Sequence, residues 1–147
     1  MNRSIYIGIF WIIFGSSFFM GCTERLTKDD LTRLNGYWEI EKVVFPDGNS
    51  KEYKVNTTID YLEVKGMQGI RKKVQPKFGG KYETSDDAEA FEISGENGNF
   101  VLRYTTELST WSETLLALEK DAFSVRNEEG IRYDYKRFEP IGAEVNP

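Results

Sequence analysis

Histidine is missing from the 147 residues, and cysteine occurs once, at Cys22. Without histidine no Ser-His-Asp or Cys-His relay can be assembled, and the commonest zinc and haem ligand is gone. A single cysteine excludes an intrachain disulfide framework. No glycine-rich loop that could cradle a phosphate is present, nor any metal-binding motif. Basic charge is also short. Arg3 is the only charged side chain before Cys22, so 18 of the 19 basic residues follow it, against all 24 acidic ones. Nucleic acid needs a basic face and is excluded as a general partner. These absences leave no basis for expecting an enzyme or a cofactor. Glu113, near Trp111 and Arg103, is the best single candidate for acid–base work, and no second carboxylate is fixed at a catalytic distance from it.

Long apolar runs are absent except at the start. Met1–Ser4 with Arg3 forms a short basic region, Ile5–Phe14 is apolar apart from Gly8, and the run continues to Phe18-Phe19-Met20 before Gly21 and Cys22. It is short for a membrane-crossing helix, which needs about 20 predominantly apolar residues. Residues 1–21 therefore read as an export signal. The sole cysteine directly after glycine resembles the lipobox of bacterial lipoproteins. That resemblance implies diacylglycerol and further acyl groups on Cys22, and a lipid anchor in the cell envelope, with the outer membrane as the expected site. Residues 22–33 are polar and read as a tether, with Thr27 and Asp30 spaced for a weak helix cap.

From Leu34 onward the pattern is short strands and turns. Strands are expected at Trp38–Phe45, Thr58–Lys65, Ile70–Gln75, Tyr82–Thr84, Ala90–Ser94, Phe100–Thr106, Trp111–Leu118, Phe123–Asn127 and Ile131–Phe138. Asp86-Asp87 reads as a turn, residues 46–57 as a long polar connection, and Asn97-Gly98 as a type I′ hairpin turn. About eight strands with hairpin-length connections give an all-β antiparallel up-and-down fold. Closing it into a barrel removes the exposed edges. A two-sheet sandwich is the competing arrangement. The barrel domain is assigned to residues 34–139 and a polar tail to 140–147.

Gly36-x-Trp38 opening the first strand, the long segment before the second, and Arg137 closing the last together resemble the small bacterial lipocalin-like lipoproteins. The resemblance implies an eight-stranded barrel with a hooded open end and a basic residue, Arg137, held against Trp38 at the closed end. The geometry agrees with that implication. In such a barrel the first and last strands are antiparallel neighbours, and alternation puts Tyr133, Tyr135 and Arg137 on one face.

After Cys22 the chain keeps fifteen aromatic residues, whose plain reading is core. Tyr61, Tyr104 and Tyr133 lie on the apolar phase of three strands, and their convergence inward would line a small apolar or amphipathic ligand. The alternative is a plugged barrel in an envelope protein that binds no ligand and serves a structural or interaction role. The sequence names no protein partner. Arg71, Lys72, Lys73, Lys77 and Lys81 form a basic stripe. It reads as solubilising charge paired with Glu63, Glu83 and Asp86, or as an anion site at the mouth or a contact with anionic lipid. Asp86, Asp87 and Glu89 lack the loop of a calcium site and read as a turn.

Overall fold

The computed structural model describes residues 25–139. A 3-10 helix, Asp29–Leu34, is followed by nine strands: β1 (Gly36–Val44), β2 (Ser50–Glu52), β3 (Ile59–Lys65), β4 (Gln68–Lys77), β5 (Lys81–Glu96), β6 (Asn99–Thr105), β7 (Thr110–Leu118), β8 (Ala122–Asn127) and β9 (Arg132–Arg137). Each strand from β3 to β9 pairs antiparallel with the next, and β1 joins β3 on one side and β9 on the other. The result is an eight-stranded antiparallel up-and-down closed barrel, in which β2 is a short addition beside the far half of β1. Closure leaves no long unpaired edge.

Alternation fills the interior. Leu102 and Tyr104 of β6, Leu115 of β7, Val125 of β8 and Tyr135 of β9 are at most 3% exposed and share one core with Trp38 of β1. The turn between β5 and β6 has Asn97 at φ 50° and Gly98 at φ 82°. Two consecutive positive φ values are what a two-residue type I′ turn requires, and Asn-Gly supplies them at low cost.

Three local expectations are corrected. Asp86-Asp87 does not turn the chain. Tyr82–Thr84 and Ala90–Ser94 belong to the single strand β5, which bulges so that Lys72 and Val74 of β4 face Ala88 and Thr84. The polar connection 46–57 contains β2, because hydrogen-bonding Lys42–Val44 to Ser50–Glu52 satisfies backbone that β3 does not reach. The segment read as a tether, residues 22–33, contributes to the core, since Leu31 of the 3-10 helix is fully buried alongside Leu34 of the barrel domain. Asp30 accepts hydrogen bonds from the Thr27 amide (2.8 Å) and hydroxyl (2.7 Å) at the start of that helix.

The helix plugs one end of the barrel. Asn35 fixes it to β3, with its Oδ1 accepting from the Val64 amide at 2.5 Å. The indole N–H of Trp38 donates to the Leu34 carbonyl at 2.7 Å. Arg137 lies over Trp38, its guanidinium carbon 3.8 Å from the ring centroid. The same guanidinium donates to the carbonyls of Asn35 (2.6 Å), Arg33 (3.0 Å) and Lys120 (2.6 Å). Gly36, at φ +122°, makes room for it, since a Cβ there would meet Arg137 Nη1 at 2.6 Å. At the opposite end the chain leaves the barrel in the β1–β2, β2–β3, β4–β5, β6–β7 and β8–β9 connections.

Candidate functional site

The lower barrel, next to the helix, is apolar, and charge enters the interior above it. On β3 the inward residues are Asp60, Leu62 and Val64, and on β4 Arg71 is in register with Leu62. Arg71 is 8% exposed and its side chain crosses the barrel to four other strands. Its Nη2 donates to Asp60 Oδ2 of β3 at 2.7 Å and to the Tyr135 hydroxyl of β9 at 2.6 Å. Its Nη1 makes longer contacts with Glu113 Oε2 of β7 at 3.4 Å and the Tyr104 hydroxyl of β6 at 3.5 Å. Lys73 Nζ approaches Asp60 Oδ1 at 2.5 Å, an ion-pair contact whose geometry is not aligned for a hydrogen bond. The Nε–H of Arg71 is buried and has no acceptor among the described residues.

The electrostatics follow from this packing. Burial raises the Asp60 carboxyl, but Arg71 and Lys73 together outweigh it and hold the group below its ordinary value of 3.8. Burial likewise opposes the Arg71 charge, and Tyr135, Asp60, Tyr104 and Glu113 more than compensate, so the guanidinium stays ionised. Burial pushes the Tyr104 and Tyr135 phenols well above 10, with Arg71 pulling back in part. Both are therefore neutral hydroxyls. Arg71 and Lys73 balance Asp60 and Glu113, so the cluster has no excess charge of either sign.

Above Arg71 the wall is aromatic and only half-buried. Trp111 stacks on Tyr104 at 5.1 Å with an interplanar angle of 4°, and Tyr133 packs on the core edge. Glu113 sits two residues along β7 from Trp111 on the same inward face. Trp111, Tyr133 and the Glu113 carboxylate thus lie on the interior phase above the buried Arg71 guanidinium, an aromatic wall over a polar layer.

Of the three tyrosines expected inside, Tyr104 and Tyr133 share the interior phase and Tyr61 does not. Tyr61 lies opposite Tyr37 on the outer wall, with ring centroids 5.0 Å apart, and donates to Glu63 at 3.3 Å. Apolar residues fall on both phases of β3, and the packing of Leu62 and Val64 over the helix decides between them. Ile59, on the outward phase, is buried at 2% exposure.

Glu113 is inside with Arg71, whereas Arg103 faces outward and pairs with Glu96 at 3.3 Å, so the two do not form a site. Lys77 does pair with Glu83, at 2.9 Å, while Glu63 takes Lys65 instead of a member of the basic stripe. Among the described residues no group of three or more Cys, Asp or Glu side chains is placed to hold a metal ion. Cys22 lies outside the described residues. Sequence reasoning missed Asp60 and Arg71 as interior residues. The one available signal was the shared inward parity of Asp60 with Leu62 and Val64.

No protein-family model and no curated protein sequence matches the chain. Among solved structures, it is similar to a lipocalin-like protein from Bacteroides uniformis, with 12% identity, a TM-score of 0.46, and coverage of 72% of this chain and 99% of that one. A protein from Bacteroides eggerthii gives 11% identity, a TM-score of 0.45 and coverage of 71% and 99%. Lobster apocrustacyanin A1 gives 9% identity, a TM-score of 0.42 and coverage of 82% and 75%. The chain's own geometry, an eight-stranded closed barrel plugged by a short helix with Arg137 over Trp38, is that of a lipocalin-like fold.

Proposed function

We propose that this protein is a lipid-anchored lipoprotein of the bacterial cell envelope, in the outer membrane, whose barrel takes a small amphipathic ligand above Arg71, against Trp111 and Tyr133. The reading includes no catalysis, and its only attached groups are acyl chains on Cys22. The observation that carries the binding part is the charged cluster in the barrel interior. A buried ion pair is at best about neutral for stability compared with apolar packing of the same volume. Stability alone thus gives no reason for Arg71, Asp60 and Glu113 to occupy the centre of a small barrel, beneath aromatic side chains that remain half-open. A polar floor under an aromatic wall fits a ligand with one hydrogen-bonding end and an apolar body.

The test is binding of a fluorescent fatty-acid probe, together with mass spectrometry of the protein released under non-denaturing conditions. Trp111→Ala and Tyr133→Ala should each weaken probe binding several-fold while costing less stability than Tyr104→Ala, whose ring is 1% exposed and part of the core. No retained ligand, and probe binding at background for the unaltered protein, would remove this reading. A second reading, an interaction protein with a plugged barrel, is favoured by the way Arg71 spans the interior to β3, β6, β7 and β9. It predicts that empty outcome.

A further inference from the structure

The β4–β5 hairpin outruns its neighbours. β3 begins at Ile59, opposite Val74, and beyond Val74 the residues Gln75–Lys77 and Lys81–Glu83 pair only with each other. The bulge facing Lys73 lets this extension fold against the outer wall, where Tyr82 stacks on Tyr37 at 4.2 Å and 6° and meets Phe138 edge-on at 6.4 Å. Tyr82 is thereby held over the outer wall beside the start of β1 and the end of β9. Val74 and Ile59 are buried in the region it covers, at 1% and 2% exposure.

Two features of the tip stand out among the described residues. Phe78 is 93% exposed beside a cleft of about 370 Å³ whose apolar lining includes Pro76, Tyr82 and Phe138. Lys77 and Lys81 are directly opposite each other across the hairpin. Like charges in that position are destabilising. Only Lys77 has a carboxylate partner among the described residues, Glu83, and both lysines line the same cleft as Phe78. The tip thus presents an aromatic side chain between two cations, on a protein whose net charge is −5. Apolar rings favour the interfacial layer of a bilayer, and lysines near its surface are attracted to anionic headgroups.

We propose that the Lys77–Lys81 hairpin tip is a membrane-contact element that inserts Phe78 into the interface of an anionic lipid surface, with Lys77 and Lys81 against the headgroups. This contact is separate from both the acylation of Cys22 and the binding of a ligand in the barrel.

The full chain carrying Cys22→Ser and Phe78→Cys, labelled at position 78 with a polarity-sensitive dye, tests it without acyl chains. A matched control carries the label through Leu108→Cys in the β6–β7 turn, where Leu108 is 96% exposed. In vesicles of equimolar phosphatidylcholine and phosphatidylglycerol, the dye at position 78 should shift to the blue and become protected from aqueous iodide, while the dye at 108 should not. Pure phosphatidylcholine should give a smaller shift, and adding Lys77→Glu and Lys81→Glu should abolish the response with the circular dichroism unchanged. An unshifted dye at 78, an equal response in neutral vesicles, or an equal response at 108 would each overturn the proposal. The first of these outcomes would leave the exposed tip to a protein partner instead.

Discussion

At the scale of single residues, Arg71 carries the most consequence. Its guanidinium holds two carboxylates inside the barrel, so removing it strands Glu113 and leaves Asp60 with Lys73 alone. Arg71→Met should cost about 3–5 kcal/mol in urea denaturation, the usual penalty for leaving a buried charge uncompensated. Replacing all three ions together, with Arg71→Met, Asp60→Asn and Glu113→Gln, should lose clearly less than Arg71→Met alone. A triple variant as unstable as the single one would mean that packing of the Arg71 stem, and not charge compensation, dominates. Asp60 adds a pH dependence whose sign follows from its lowered pKa. The folded state binds the Asp60 proton less readily than the unfolded chain does. Its contribution is therefore complete above the ordinary carboxylate value of 3.8 and is lost as the pH falls through the lower folded value. Stability measured between pH 6 and pH 2 should fall less steeply for Asp60→Asn than for the unaltered protein, and parallel curves would show that Asp60 is not a source of acid lability.

At the scale of elements, the closed end is where one strand depends most visibly on another. Arg137 at the end of β9 covers Trp38 near the start of β1, and its donors also bind carbonyls of Arg33, Asn35 and Lys120. Trp38→Ala and Arg137→Ala should each destabilise, with a coupling energy of about 0.5–2 kcal/mol in a double-mutant cycle. Strictly additive losses would show that the ring and the guanidinium do not support each other. Arg137→Lys should recover little, because an ammonium can neither lie flat on the indole nor reach three carbonyls in a planar fork. Much of this end was legible in the sequence. Period-2 alternation sets Tyr133, Tyr135 and Arg137 on one face, and an up-and-down barrel must bring the last strand beside the first. The hairpin at Asn97-Gly98 was legible for a similar reason, since its backbone geometry is written into two residues. β3 was not. Ile59 and Tyr61 on one phase compete with Leu62 and Val64 on the other, and only the tertiary packing of the helix beneath selects between them. That choice turned Asp60 inward and Tyr61 outward. Arg71 was obscured in turn, because a basic residue among lysines gives no local sign that its partners lie across a barrel. The bulge in β5 was hidden for a related reason: two aspartates satisfy the chemistry of a turn as readily as that of an exposed, bent strand.

At the scale of the whole molecule, closure gives the barrel two unlike ends. The 3-10 helix seals the end at which the chain enters, while Trp111 and Tyr133 lie toward the other. Attachment through Cys22 would leave seven residues before Asp29, and a fully extended chain spans at most about 3.5 Å per residue. The sealed end would then stay within about 25 Å of the bilayer, with Trp111 and Tyr133 toward the far end. Such attachment depends on acylation. Each buried methylene contributes about 0.8 kcal/mol, so one chain binds marginally and two or more hold stably. The barrel core draws on Leu26 and on residues after it, so loss of the thiol should leave folding intact. Cys22→Ser should therefore yield a protein with unchanged near-ultraviolet circular dichroism that either fails to be processed or, if processed, leaves the membrane fraction on carbonate washing. Processed Cys22→Ser protein that stays with washed membranes would show that acylation is not the anchor, and would place the attachment on the barrel surface itself, where the Phe78 tip is the first element to test.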